Sequence, residues 1–188
     1  MTDGKTTRLC IVRHGETEEN IAHIFQGHLP GTLTANGRRQ AEALRDNIDM
    51  SVFDVIVSSD LRRVTDTVKI LLNGKCTTNW VTSELFREKD WGSITGQTID
   101  KANLKNLPDD VETREMLYDR AGKAICFLKE RYAGKTVLLV SHGLFLQSFM
   151  AKAAGMTLEQ VYSMRRLNNC ESEWIDIKQI KQNIPEII

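Results

Sequence analysis

The chain has 188 residues and a mass of 21.3 kDa, with 41% hydrophobic and 27% charged residues, which suits one globular domain with a sizeable core. Lys plus Arg total 25 and Asp plus Glu total 25, so no basic excess points to nucleic acid or a membrane surface as partner. No apolar run nears the roughly 20 residues of a membrane span, and the apolar residues 9–12 are too few for a signal-peptide core.

In chain order, residues 9–12 read as a buried strand. Thr34 is placed to cap a helix on which Gly37, Ala41, Leu44 and Ile48 share one face. Residues 53–57 form a second strand pattern, followed by a helix carrying Leu61, Val64, Val68 and Leu71 on one side. Residues 76–81 are a weaker strand pattern. Leu117, Ala121, Ala124 and Leu128 mark a further amphipathic helix before the unbroken apolar run 137–140, the kind of strand that sits inside a parallel sheet. Segment 144–154 is apolar nearly all round and predicts a helix buried against that sheet. Residues 161–167 and 173–177 are again weaker strand patterns.

No repeat, low-complexity tract or linker divides the chain, so residues 1–188 read as a single domain. The alternation predicts an α/β fold, a three-layer α/β/α sandwich with a mostly parallel central sheet. Ligands in that architecture bind beyond the carboxyl ends of the strands. Cys10, Cys76, Cys126 and Cys170 show no C-x-x-C spacing, which fits thiols in a reducing compartment and a cytoplasmic location better than a disulfide or zinc framework.

Two strand ends carry the chemical signal. The first runs into Arg13-His14-Gly15-Glu16-Thr17, and the later one into Ser141-His142-Gly143. Each histidine is followed by glycine, which lets the chain turn sharply and a ligand approach closely. A following helix N-terminus after each histidine would favour an anion. Ser58-Ser59-Asp60-Leu61-Arg62-Arg63 adds cations at a third strand end. Two imidazoles and up to three arginines at one sheet edge suit a phosphate group.

These residues resemble the histidine phosphatase superfamily, also called the phosphoglycerate mutase-like family. Arg13 to Thr17 resembles its signature. Asn20 and Gln26-Gly27 stand where it places phosphate-pocket residues, and residues 33–41 resemble its L-T-x-x-G-x-x-Q-A helix start. Residues 58–63 resemble its S-S-D-L-x-R segment, residues 88–92 with Gly96 its acid-bearing loop, and residues 140–143 its second histidine motif. The match runs in order over roughly residues 8–170. Departures are Asp66 in place of Gln, 111–113 in place of Gly-Glu-Ser, 30–32 in place of an acid-plus-proline stretch, and Phe86 as an extra residue in the acid loop.

The resemblance implies a phosphoglycerate mutase-like sandwich and a phosphomonoesterase acting through a phosphohistidine on a small phosphorylated metabolite. Its catalytic set would be His14 as nucleophile, Glu88 as proton donor and acceptor, and His142, protonated, with Arg13 and Arg63 holding the phosphoryl oxygens. Asn20, Thr17, Gln26, Gly27 and Gly143 would line the substrate pocket. Glu84 and Asp90 are the other acids near that loop. Arg62 should be solvated, Trp91, Phe86 and Cys10 should be packing residues, and His23 and His28 stand open between pocket rim and surface.

No metal or other cofactor is implied, since two arginines oppose a divalent cation and no H-E-x-x-H spacing is present. A cofactor-dependent phosphoglycerate mutase is the alternative, and a non-catalytic phospholigand-binding module a third reading. The family's lid insertion would fall at residues 97–111, too short to shield a phosphoenzyme from water. The sequence leaves the oligomeric state open, a homodimer included.

Overall fold

Successive residues of a strand point to opposite faces of its sheet, and in this chain both faces are apolar. The computed structural model describes residues 5–74, 79–99 and 106–178. In it, β1 (Thr6–Arg13) sends Leu9 and Ile11 into one core and Cys10 and Val12 into the other. β2 (Val55–Ser58) and β4 (Thr136–Ser141) divide in the same way. Val55, Val57, Val137 and Leu139 join the first core, while Ile56, Leu138 and Val140 join the second.

With β3 (Asn79–Thr82) and β5 (Ser172–Lys178), the sheet order is β3-β2-β4-β1-β5. The first four strands in that order run parallel. β5 is antiparallel to β1, pairing Ile175 with Leu9. This is the predicted sandwich with a mostly parallel sheet.

Helices cover both faces. α2 (Ala35–Asn47) and α3 (Arg62–Leu72) pack on the second core through Leu44, Val64, Val68 and Leu71. α4 (Arg114–Arg131) and α5 (Gly143–Ala153) pack on the first through Leu117, Ala124, Leu128, Phe145 and Phe149. The predicted cap forms, with Thr34 Oγ1 accepting the Gly37 N–H at 2.8 Å, and Thr113 Oγ1 likewise caps α4 through Met116. Among the described residues no helix is long and apolar enough to cross a membrane.

Three sequence expectations change. Residues 161–167 are not a strand: a 3₁₀ turn occupies Leu158–Ser163 and irregular chain follows. A capping box joins Thr157 and Gln160, and the apolar positions Val161, Met164 and Leu167 recur every third residue, a 3₁₀ period rather than an alternation. Phe53 stays in the core but precedes β2, because a 3₁₀ turn at Met50–Val52 delivers the chain. The 76–81 strand is realised as β3, and residues 75–78 lie outside the described residues. Of the predicted lid 97–111, residues 100–105 also lie outside them.

Parallel pairing brings the carboxyl ends of β1, β2 and β4 to one edge of the sheet. There the His14 N–H donates to the Ser141 carbonyl at 3.0 Å and the Ser59 N–H to the Val140 carbonyl at 3.1 Å. Three distant sequence segments meet at that edge.

Candidate active site

The loop after β1 is shaped by backbone contact with the start of α2. A Cβ on Gly37 would lie 2.0 Å from the Glu16 carbonyl oxygen, and one on Gly15 would lie 2.6 Å from the Gly37 oxygen. No side chain fits either place, so the two glycines of the separate motifs are one packing requirement.

The same loop corrects an expectation. His14 is not followed by a free helix N-terminus, because α1 (Glu18–Ile21) is a single turn and the preceding N–H groups are engaged. Gly15 donates to Thr67 Oγ1 at 3.1 Å, Glu16 to Gln40 Oε1 at 2.9 Å and Thr17 to Asn20 Oδ1 at 3.1 Å. At α5 the expected anion site exists, but Glu88 occupies it. Its carboxylate accepts the Leu144 N–H at 3.2 Å and the Phe145 N–H at 3.0 Å, where the helix dipole favours negative charge. An incoming anion must therefore be held mainly by side chains.

His14 is buried, and its Nδ1 lies 2.7 Å from the Gly15 carbonyl. A carbonyl only accepts, so Nδ1 carries the hydrogen and the neutral ring keeps its lone pair on Nε2. The His142 ring lies edge-on to it, 5.3 Å between centroids. His142 Nε2 is 2.8 Å from Ser59 Oγ, and its Nδ1 is buried without a partner. Burial, reinforced by the Arg63 charge, holds both histidines well below the usual imidazole pKa; Arg13 adds to the effect at His14. The free protein thus favours the neutral form of His142, while the protonated form expected from sequence belongs to the complex with phosphate. A bound phosphate dianion is what would supply the proton's missing counter-charge.

Arg63 is 1% exposed, and its terminal nitrogens donate to the carbonyls of Leu29 and Gly27, the latter at 2.9 Å. Burial lowers its pKa to about 10, and Glu88 pulls it back up. Arg13 Nη1 donates to the Leu167 carbonyl at 2.9 Å, and Glu88 acts favourably on this charge too. The Nε groups of both arginines are buried and unpaired, as is Gln26 Oε1, whose amide can turn over to present its NH₂. Orphaned donors of this kind cost about 1–3 kcal/mol each unless a ligand meets them. With His142 Nδ1 they suit an oxyanion.

The remaining predicted residues divide between site and scaffold. Thr17 and Asn20 cap α1 reciprocally, with Thr17 fully buried. Gly27, at φ +47, gives its carbonyl to Arg63, and Gly143 lies against Arg13 and Arg166. Arg62 is exposed and pairs with Asp66 at 3.4 Å, which puts that family departure on the outer face of α3. Phe86, the extra loop residue, is fully buried against Phe127 and Phe145, and Trp91 packs on Phe25. His23 is an exposed turn residue, whereas His28 Nε2 donates to the Glu88 carbonyl at 3.0 Å, on the rim.

Sequence reasoning missed the residues that position the set. Arg120 on α4 donates to the carbonyls of Leu85, Arg87 and Glu88 at 3.2, 2.6 and 3.1 Å, and pairs bidentately with Glu112 at 2.8 Å on both arms. Glu112 in turn accepts the Asp90 N–H at 3.0 Å. Together they clamp the acid loop, and Arg87 ties it to Asp60. Asn169 Nδ2 donates to the His14 carbonyl at 2.9 Å, and Thr67 links Gly15 to Arg63. No motif marks Arg120 or Asn169, because each acts through backbone carbonyls that any residue presents.

The model of the histidine phosphatase superfamily (branch 1) matches residues 9–187. The chain is 32% identical over 170 residues to the uncharacterized phosphatase PhoE of Bacillus subtilis, covering 88% of this chain and 86% of that protein. It is 29% identical over 185 residues to the adenosylcobalamin/alpha-ribazole phosphatase of Escherichia coli, covering 92% and 91%. Among solved structures, YhfR of Bacillus stearothermophilus superposes with a TM-score of 0.80 at 26% identity, over 89% of this chain and 90% of that one. The strand-end histidines, the buried arginines and this family match agree: the chain belongs to the histidine phosphatase superfamily.

Proposed function

We propose that this protein is a metal-independent phosphomonoesterase of the histidine acid phosphatase type, acting on a small phosphorylated metabolite in the cytoplasm, with neither nucleic acid nor membrane as partner. The observation that carries the reading is the state of His14. It is a neutral imidazole, fixed in the tautomer that leaves Nε2 nucleophilic, in a site with three unpaired buried nitrogens. In the first step Nε2 attacks phosphorus while the ester P–O bond breaks, and the Glu88 carboxyl group gives its proton to the departing oxygen. Arg13, Arg63 and His142 hold the three equatorial oxygens; donors of this kind are worth roughly 3–4 kcal/mol each in a dry site. In the second step water attacks the phosphohistidine, the P–N bond breaks and the Glu88 carboxylate takes the water proton.

Glu88 is docked on α5 in the free protein, so proton donation requires it to release at least one backbone N–H. Two arginine charges acting on His14 oppose a divalent cation there. Brief incubation with 4-nitrophenyl phosphate labelled at phosphorus, followed by alkaline quench, should trap an acid-labile phosphoenzyme. His14→Ala should lose both label and turnover. Normal labelling of that variant rejects the mechanism.

A further inference from the structure

Arg166 stands beside the phosphate-holding groups and does nothing in the reaction described above. It follows Arg165, whose guanidinium is fixed by Glu171 and Glu173, and precedes Leu167, whose side chain is buried and whose carbonyl accepts Arg13 Nη1. The backbone at 166 is therefore held on both sides. The side chain itself is exposed and has no hydrogen bond or ion pair among the described residues.

Its aliphatic stem passes beside Gly143. A Cβ built on that glycine would lie 3.3 Å from Arg166 Cδ and 3.4 Å from the Arg13 guanidinium carbon. Arg166 Cδ and the Arg13 guanidinium carbon are thus separated by no more than the sum of those lengths. The arrangement is repulsive: the Arg166 charge works against that of Arg13. A surface arginine free to move away from a like charge gains nothing by being held there, unless an anion comes between or beside the two.

The charge balance says which anion. Arg13 and Arg63 match the two charges of a phosphate dianion, and Arg166 beside them is a further positive charge with no hydrogen bond or ion pair among the described residues. On the other side of the acid loop the rim is acidic, with Asp90, Asp109 and Asp110 grouped about His28, and repels a second anion.

From this juxtaposition we propose that Arg166 is a specificity-determining residue, binding a second anionic group carried by the leaving portion of the substrate, which is therefore a phosphomonoester that also bears a carboxylate or a second phosphate. The proposal rests on the phosphatase reading and narrows it. Arg166 forms charge-assisted hydrogen bonds to that group, bidentate where it is a carboxylate, and the leaving portion lies toward the 164–169 segment, away from Asp90.

The test compares matched esters on the full-length protein. Phenyl phosphate against 3-carboxyphenyl phosphate adds a carboxylate with little change in the leaving oxygen. Glucose 6-phosphate against glucose 1,6-bisphosphate adds a phosphate. The wild type should prefer the doubly anionic member of at least one pair by about tenfold or more in kcat/KM, and the pair that shows the preference identifies the group. Arg166→Met should remove most of that preference, chiefly through KM. Arg166→Glu should invert it, and Arg166→Lys should keep part of it. An exposed residue can be replaced without unfolding the chain, which a thermal melt of each variant checks. Equal kcat/KM for both members of both pairs in the wild type overturns the substrate class and leaves the phosphatase reading standing. So does an Arg166→Met variant that loses the same factor on singly and doubly anionic esters. Release of phosphate from none of these esters, nor from 4-nitrophenyl phosphate, overturns both.

Discussion

Lowering the pH should destabilise this protein through its two active-site imidazoles before most carboxylates titrate. His14 and His142 are buried, and desolvation plus the Arg63 charge keep both well below the ordinary imidazole value. The unfolded chain has no such restraint and binds protons at the ordinary pKa of about 6.5. Stability is therefore full above that pH and falls below it, as the unfolded state takes up protons that the folded site refuses. At about pH 5 each unfolded imidazole gains at most about 2 kcal/mol in this way, so the pair together removes up to about 4 kcal/mol relative to about pH 7.5. That is a large share of the 5–15 kcal/mol typical of a domain. Urea denaturation at the two pH values measures it directly. His14→Asn and His142→Asn should each reduce the loss, by up to about 2 kcal/mol, whatever they do to stability at neutral pH. If both variants lose as much as the wild type, burial and the Arg63 charge do not depress the two imidazoles and this account of the site's electrostatics fails.

Three further outcomes follow from the site. Glu88→Gln keeps the arginine clamp but removes the proton donor, so its rate defect should be far larger on alkyl phosphates than on 4-nitrophenyl phosphate, whose leaving group needs no proton; equal defects turn attention to Glu84 or Asp90. Arg120→Met removes the clamp on the acid loop and leaves Glu112 unpaired, so stability should fall by about 2–4 kcal/mol in urea titration, and kcat should drop more than KM rises. Gly37→Ala drives a methyl group into the Glu16 carbonyl and should cost about 3 kcal/mol or more, together with most activity, as read from melting and turnover of the same sample.

Much of this molecule is written in its local pattern. The apolar runs at 9–12 and 137–140, flanked by helices with a 3.6-residue period, fix a buried parallel sheet because only such strands need both faces apolar. The motifs at residues 13–17, 58–63 and 140–143 fall at strand ends, and parallel pairing must bring such ends to one edge. That places His14, His142, Arg13 and Arg63 together from sequence alone. The packing roles of Phe86, Trp91 and Cys10 were also legible, since large apolar and thiol side chains gain most from burial.

What sequence could not supply is whatever depends on backbone groups and on burial summed over distant segments. The amides after His14 are consumed by Thr67, Gln40 and Asn20, and those of α5 by Glu88, so the anion falls to side chains instead. Arg120 and Asn169 hold the site through carbonyl oxygens, which carry no residue signature. The charge state of His142 follows from its burial and from the nearby Arg63 charge, which no single segment contains. Residue types and their order determined the fold and the reactive groups. The charge state, the free donors and the place of Arg166 beside Arg13 were decided only when tertiary packing set what each polar atom touches.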